Sequence, residues 1–583
     1  MNRRDFLRGT LPMGLAPLAL NGIPMRVLAD TLMTQSFSCA EINDRVLVLV
    51  QLSGGNDGLN TLIPLDQYAT YRNFRPVIGV EDTGLRKYIT LDSNLPSNQQ
   101  IGLHPDMTGI KDLYDQGMAH LVQNVAYNRM NGSHFQGTDI WLSGLEPVTL
   151  REPQESGWFG RYLDRRFPNF PDAYPTAAMP DPPGLELGSQ VISLGFHRAV
   201  GIPMGMTLTT DPVTFDIDIS GVGGALPNAF PNSDYGRELK YLTDIERTAN
   251  VYADRLSQAF QLGTNAPGVN YPETYHTFTT NNYNNGLTPQ LKTVARLISG
   301  GLKTKVYLVR LTGFDTHGNQ GIPGKPSFGS HSALLYHLSE AIRAFYMDLQ
   351  AQGLAERVVT ATFSEFGRQV RENGTFGTDH GTSAPMLIFG RGLKPGVSGP
   401  NPNLSNVIHN KLVGYSHDYR QVFATLLQDW MGANNGTLQH AEWLQFANQK
   451  LPLIHDNYVD PNGQIIDFRA DPGCDPTPNV QGPTSLIDEQ TREAFQVKVF
   501  PNPATDLVHV AVTSAGLMPA LAQMVNMNGA RVAEKEVNLY AGENLIELEL
   551  AGLAAGLYVL QVWGNPGHPA DRRLVGSQKV VVK

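Results

Sequence analysis

Arg45-Val46-Leu47-Val48-Leu49-Val50-Gln51-Leu52-Ser53-Gly54-Gly55-Asn56-Asp57-Gly58 runs from a nearly continuous apolar stretch into a glycine-rich turn that carries an acid. Such a run is the pattern of a strand buried on both faces of a parallel sheet. Lys305-Val306-Tyr307-Leu308-Val309-Arg310-Leu311 repeats it and leads to Phe314-Asp315-Thr316-His317-Gly318, and Val358-Val359-Thr360-Ala361-Thr362-Phe363 leads to Ser364-Glu365-Phe366-Gly367-Arg368. Between these two, Leu334, Leu335, Leu338, Ile342, Phe345 and Leu349 fall at helical spacing, and Gly353 suits the helix end. Strand, helix, strand in this order predicts a right-handed βαβ unit. Pro385-Met386-Leu387-Ile388-Phe389-Gly390 gives a further strand, approached directly from Thr378-Asp379-His380-Gly381. The expected body, residues 40–451, is therefore α/β with a mainly parallel sheet flanked by helices.

In an open α/β sheet, loops at strand ends converge at one edge, so residues distant in sequence can share a site. Asp57, Asp315, His317, Glu365, Asp379 and His380 are the candidate metal ligands on those loops. Imidazole nitrogen together with carboxylate oxygen suits zinc first, with manganese and iron fitting the same donors, whereas an all-oxygen cage would favour calcium or magnesium. One or two ions are expected. A lone Asp in a glycine-rich loop is commonly a turn residue. Three acid-bearing loops, two of them with histidines nearby, are hard to obtain from turn chemistry alone.

A hydroxyl nucleophile is best placed at a helix N-terminus, where free N–H groups and the dipole stabilise an oxyanion. Ser133, ahead of His134 and a segment expected to be helical through Ile140 and Trp141, is the first candidate and Thr61 the second. Ser is equally a preferred N-cap, and both roles stand open for Ser133. Arg368 or Arg129 would hold an anionic group bidentately, or serve in a structural ion pair.

The chain has 583 residues, 41% hydrophobic and 17% charged, enough for a large core and more than one domain. A formal charge of -10 without a Lys/Arg stripe argues against nucleic acid as a partner. No apolar run reaches the roughly 18 residues of a transmembrane helix. Cys39 and Cys474 are the two cysteines, and spacing leaves a disulfide and two free thiols equally open.

Both ends carry a different signature. Asn2-Arg3-Arg4-Asp5-Phe6-Leu7-Arg8 and the short apolar stretch from Leu11 to Leu20 resemble a twin-arginine export signal over residues 1–30, which implies the twin-arginine translocase as a partner. Residues 452–494, rich in Pro, Asp and Asn, are expected to form a linker. From 495 to 583, short alternating runs such as Leu507-Val508-His509-Val510-Ala511-Val512 and Leu545-Ile546-Glu547-Leu548-Glu549-Leu550 indicate a small all-β sandwich. Val499-Phe500-Pro501-Asn502-Pro503-Ala504-Thr505-Asp506, Gly556-Leu557-Tyr558-Val559-Leu560-Gln561-Val562 and the basic terminus at Lys579 and Lys583 resemble the type A sorting domain of the type IX secretion system. That resemblance implies the type IX machinery as a partner and delivery to the cell surface or the medium.

The body has its own resemblance. Leu52-Ser53-Gly54-Gly55-Asn56-Asp57-Gly58-Leu59-Asn60-Thr61, Leu103-His104-Pro105, Asn131-Gly132-Ser133-His134-Phe135 with Asp139-Ile140-Trp141, Gly157-Trp158-Phe159-Gly160-Arg161-Tyr162-Leu163, and the three loops around Asp315, Glu365 and Asp379 are similar to the domain-of-unknown-function family fifteen-oh-one. That family resembles the alkaline phosphatase and sulfatase superfamily, which implies an alkaline-phosphatase-like sheet. By the superfamily pattern Asp57 matches the metal-binding Asp after the first strand, Asp315 and His317 the next ligand pair, Glu365 the following acid and His380 the late histidine. Glu365 is followed by Phe366 where alkaline phosphatases place an Asp-His pair, and no Cys/Ser-x-Pro-x-Arg sequence occurs. Two functions are expected from this: an exported metal-dependent hydrolase of phosphate or sulfate esters, acting on an anionic small molecule or glycan, or a catalytically degenerate surface protein that binds glycan.

Overall fold

The computed structural model describes residues 39–145, 155–198, 202–208, 229–275, 284–459, 463–477 and 497–583, the last with gaps at 515–517, 527–530, 540–541, 551 and 565–572, together with a few short segments. The twin-arginine stretch at 2–8 and the part of the expected linker from 478 to 494 lie outside the described residues. The chain divides into two compact units, 1–480 and 481–583.

In the first unit the opening stretch becomes β1 (Val46–Ser53), of which Val46 to Leu52 are all buried. The other strands of its sheet are β2 (Ala119–Ala126), β3 (Gly184–Leu187), β4 (Gly205–Leu208), β5 (Val306–Thr312), β6 (Val358–Phe363), β7 (Ala384–Phe389), β8 (Gly396–Ser398) and β9 (His417–Asp418). They run in the order β4-β3-β5-β1-β6-β7-β2-β8, with β9 also on β2. β5 and β6 lie parallel to β1 on either side; β5 ends level with β1, Thr312 opposite Ser53, and β6 ends with Phe363 opposite Gln51. β7 is antiparallel to both its neighbours. The reason is connectivity: the chain leaves β6 at the functional edge, makes the 364–383 loop there and can re-enter the sheet only from that edge. The mainly parallel α/β sheet with flanking helices is thus as expected.

The helices used below are α1 (Tyr68–Phe74), α2 (Thr108–Asp115), α3 (His134–Ser143), α4 (Trp158–Arg166), α5 (Asp234–Leu262), α6 (Leu287–Ser299), α7 (Ser330–Ala351) and α8 (Tyr419–Thr425). α2, α7, α6 and α5 pack side by side as a layer. α3, α4 and α8 meet through Trp141, Trp158, Tyr419 and Phe423, whose rings lie 4.3 to 4.7 Å apart in the pairs Trp141–Tyr419 and Trp158–Phe423. That stack fixes α3, and with it the side chains α3 sends to the sheet edge.

The stretch read as a linker belongs to the body in its first half. Leu453, Ile454 and Phe468 are buried in the main core, and Asp475 accepts hydrogen bonds from the Asn434 N–H (3.0 Å) and Thr437 Oγ1 (2.6 Å). Prolines deny this segment a helix or a central strand, but not burial of the apolar residues among them. Cys39 and Cys474 form a disulfide across a sequence separation of 435.

The second unit holds two antiparallel sheets: β10 (Val497–Phe500), β11 (Leu507–Ser514) and β14 (Gly542–Glu549) in one, and β13 (Arg531–Leu539), β12 (Met518–Asn526), β15 (Gly556–Gly564) and β16 (Arg573–Val582) in the other. Alternate residues Val508, Val510 and Val512 share a core with Ala520, Ala522, Met524, Leu560 and Val562, which makes it the expected sandwich. The alternation singled out neither β12, rich in Ala and Met, nor β13, which is mostly exposed.

If the disulfide holds the body as described, Cys39→Ser should lower its unfolding free energy by about 2–4 kcal/mol. Urea titration of oxidised wild type against the variant measures this; equal midpoints would show that the bridge contributes nothing.

Candidate metal centre

Five segments meet at the edge where β1, β5, β6 and β2 end: Gly54-Gly55 after β1, Phe314 to His317 after β5, Ser364 to Arg368 after β6, Asp379-His380 before β7, and Gly132 to His134 at the start of α3. Gly54 has φ +123°, and a Cβ on it would lie 2.2 Å from the Asp315 nitrogen, so only glycine lets the first two loops approach this closely. Arg368 fastens them. Its side chain is fully buried. Its Nε donates to Gly55 O (2.7 Å), Nη1 to Thr378 O (3.0 Å), and Nη2 to Phe314 O (2.8 Å), Asp315 Oδ1 (2.7 Å) and Gly54 O. Each of its three nitrogens is engaged by these loops, so its structural role is the one the geometry favours.

Three imidazoles surround Asp315, each tied back through Nδ1. His134 Nδ1 lies 2.8 Å from Glu365 Oε1, His317 Nδ1 2.9 Å from Asp379 Oδ1, and His380 Nδ1 2.7 Å from Gly132 O. Each partner can only accept, so each Nδ1 carries the hydrogen and, in the neutral ring, each Nε2 presents a bare lone pair; the tautomers are assigned from these bonds. Those lone pairs face one another. His380 Nε2 is 3.1 Å from His134 Nε2 and 2.9 Å from His317 Nε2, while Asp315 Oδ1 lies 3.2, 3.4 and 3.1 Å from His380, His134 and His317 Nε2. Burial pushes the His380 pKa below its ordinary 6.5, so the ring is neutral at neutral pH. Burial also acts to raise Asp315, but the hydrogen bond and charge of Arg368 override it and hold the carboxyl at about 2.

Converging lone pairs and a carboxylate repel one another unless a cation lies among them. Donor atoms about 2.0–2.1 Å from a tetrahedral ion stand roughly 3.3 Å apart, close to the spacings found here. The residues therefore fit a divalent ion held by nitrogen and oxygen. Among the described residues, His134, Asp315 and His380 bring their ligand atoms within 4.8 Å of one another, and His317 Nε2 lies within 3.1 Å of two of these atoms.

The other candidates have different places. Glu365 Oε1 also accepts the Gly54 N–H (2.8 Å), and Asp379 Oδ1 also accepts from Asn373 Nδ2 (3.0 Å), so both orient histidines. Asp57 is fully buried against Arg75, which holds its two oxygens at 2.6 and 2.9 Å, and Gln320 donates to it as well. Burial by itself would raise the Asp57 pKa; the charge and hydrogen bonds of Arg75 outweigh it and hold it below the usual 3.8. It is a buried ion pair, and not one of the converging donors. Ser133 caps α3, its hydroxyl accepting the Gln136 N–H at 3.4 Å. Thr61 is buried and donates to Asp57 O (2.8 Å), and Arg129 is exposed with φ 60°. Sequence reasoning passed over His134 because the hydroxyl before it drew attention; the Asn-Gly-Ser-His stretch was the available signal.

Behind the centre, His331 Nε2 donates to Asn56 Oδ1 (3.1 Å), and its ring meets that of His104 edge-on at 6.4 Å. Burial drives the His331 pKa down to about 4 and that of His104 well below 6.5. In front, a cavity of about 410 Å³ opens between the face of α3 carrying His134, Phe135, Thr138 and Asp139 and the strand-end residues Gly54 and Asp315.

Residues 294–438 match the family described as Protein of unknown function (DUF1501), and residues 498–575 match the Secretion system C-terminal sorting domain, so both resemblances hold. The chain thus carries a sorting domain that directs it to the cell surface or the extracellular space. Among the described residues no helix is long and apolar enough to cross a membrane. No curated protein matches. Of solved structures, latent PorU from Porphyromonas gingivalis is 17% identical with a TM-score of 0.14, over 15% of this chain and 9% of that one. The putative sulfatase yidJ from Bacteroides fragilis is 9% identical with a TM-score of 0.28, over 89% and 90% of the two chains. PsFucS1 sulfatase from Pseudoalteromonas sp. is 10% identical with a TM-score of 0.27, over 87% and 84%.

Asp57→Asn should cost about 3–5 kcal/mol by leaving Arg75 buried and uncompensated, seen as a lower urea midpoint at pH 7. The pair's contribution is full above pH 3.8 and is lost as pH falls below it, because the folded pKa is the lower one. The same sign applies to His331 at higher pH: the unfolded chain binds more protons between pH 6.5 and about 4, so stability falls as pH is lowered through that window. His331→Gln should flatten the fall, measured on chelated protein at pH 7 and pH 5.

Proposed function

We propose that the protein is an exported, metal-dependent hydrolase of phosphate or sulfate esters, with one ion held by His134, His380 and Asp315 and with His317 standing beside them. The observation that carries this reading is that outward Nδ1 hydrogen bonds turn the Nε2 lone pairs of His134 and His317 toward that of His380, and all three toward the Asp315 carboxylate. Zinc suits these donors best. Such an ion, when bound, supplies Lewis-acid polarisation of a phosphoryl or sulfuryl oxygen and a nucleophilic water near neutral pH.

The protein's own residues do the rest. Glu365, Asp379 and the Gly132 carbonyl keep the three rings in one tautomer and orientation. Arg368 keeps Asp315 ionised and aimed at the rings. Ser133 and Thr61 are engaged elsewhere, which favours water over a side-chain nucleophile. The twin-arginine signal at 1–30 would deliver the folded body through the inner membrane, and the sorting domain would complete export. A surface protein that binds glycan without cleaving it is the second reading. The locking of Asp57 by Arg75, which withholds a ligand expected from the superfamily pattern, favours it.

Mature protein reloaded with zinc should hold about one equivalent per chain and gain stability from it. His380→Ala and Asp315→Asn should abolish that binding, Asp57→Asn should keep it, and Glu365→Gln should weaken it about 10–100-fold. Assays with 4-nitrophenyl phosphate, bis(4-nitrophenyl) phosphate and 4-nitrophenyl sulfate should show turnover that needs the ion and survives Ser133→Ala. Zinc binding without turnover would leave the glycan-binding reading, and no zinc binding at all would sink the metal centre.

A further inference from the structure

The cavity beside the centre has a composition that speaks to what it receives. One wall is a single face of α3, on which His134, Phe135, Thr138 and Asp139 follow at helical spacing. His134 begins this face at the centre. Phe135, one residue on, is 88% exposed, an aromatic ring held out at the mouth. Thr138 and Asp139 offer a hydroxyl and a carboxyl beyond it. None of the described residues lining the cavity is Lys or Arg, whereas Asp139, Asp315 and Glu365 all contribute to it.

A polyanion would meet carboxylates along this wall with no cation to offset them. A neutral, hydroxyl-rich ring would not. The C–H face of a pyranose stacks on an aromatic ring, and its hydroxyls pair with carboxylate and hydroxyl side chains, the mixture of one apolar surface and a few polar groups that defines small-molecule sites. An isolated exposed aromatic is ordinary on a protein surface. Here it lines a cavity whose other end is the proposed ion site.

We infer that the face of α3 formed by Phe135, Thr138 and Asp139 is a subsite for a neutral sugar ring, so that the substrate is an ester carried on an otherwise uncharged glycan. The inference rests on the hydrolase reading for the role of the subsite, but the binding itself does not require the ion.

Calorimetry of chelated, full-length protein with neutral hexasaccharides of glucose, mannose and galactose, and with a chondroitin 4-sulfate hexasaccharide, tests it. At least one neutral hexasaccharide should bind with a Kd of about 1 mM or tighter, Phe135→Ala should weaken it about tenfold, and Phe135→Trp should restore it. Asp139→Asn should weaken the neutral sugar too, which a purely repulsive carboxylate would not do. No binding of any neutral sugar, tighter binding of the sulfated one, or an unaltered Phe135→Ala protein would each overturn the subsite. Zinc equivalence is read separately on the reloaded protein, so failure of the centre and failure of the subsite are distinguishable.

Discussion

The edge of this sheet depends on one buried guanidinium. Arg368 is shielded from water, and a charge in that position is tolerable only when its nitrogens find partners. They are paired with carbonyls of three loops that come from different strands, and with Asp315. The cost of burying the charge and the closeness of the loops are therefore the same fact: separate the loops and the cation loses its partners. Arg368 closes the sheet edge, and His317 and His380 are mounted on what it closes.

The centre also shows how acids of one chemical kind divide their labour. Asp315 faces inward with an oxygen among the imidazole nitrogens. Glu365 and Asp379 stand behind their histidines, and each fixes a tautomer by accepting a hydrogen. Asp57 belongs to a third class, neutralised by Arg75 within a buried network that includes Asn60 and Tyr71. Burial is harshest for Asp57 and far milder for Asp315, and the available cation settles each outcome: a guanidinium permanently for the first, and for the second a guanidinium on one side with an open convergence on the other.

Much of this was legible in the chain. Continuous apolar runs identify β1, β5 and β6, and the acid or histidine after each run lies where strand ends converge. Periodicity says where a residue emerges from a sheet; it says nothing of what folds back to meet it. Arg75, eighteen residues past Asp57 at the end of α1, could not be paired with it by pattern. His134 comes from α3, an element whose apolar signal is weaker than a strand's, and it stood beside a serine with a ready chemical role. The prolines after Leu451 suggested a linker because they forbid regular structure, yet irregular chain can still fill a core, as Leu453 and Phe468 do.

The covalent bond between Cys39 and Cys474 has a mechanical meaning. Everything from β1 to Cys474 lies inside one closed covalent ring, and the chain that continues to the sorting domain departs from that seam. Tension applied to the chain beyond Cys474 divides there between the two arms of the ring. While the bridge is intact, the body therefore cannot be peeled strand by strand from its C-terminal end.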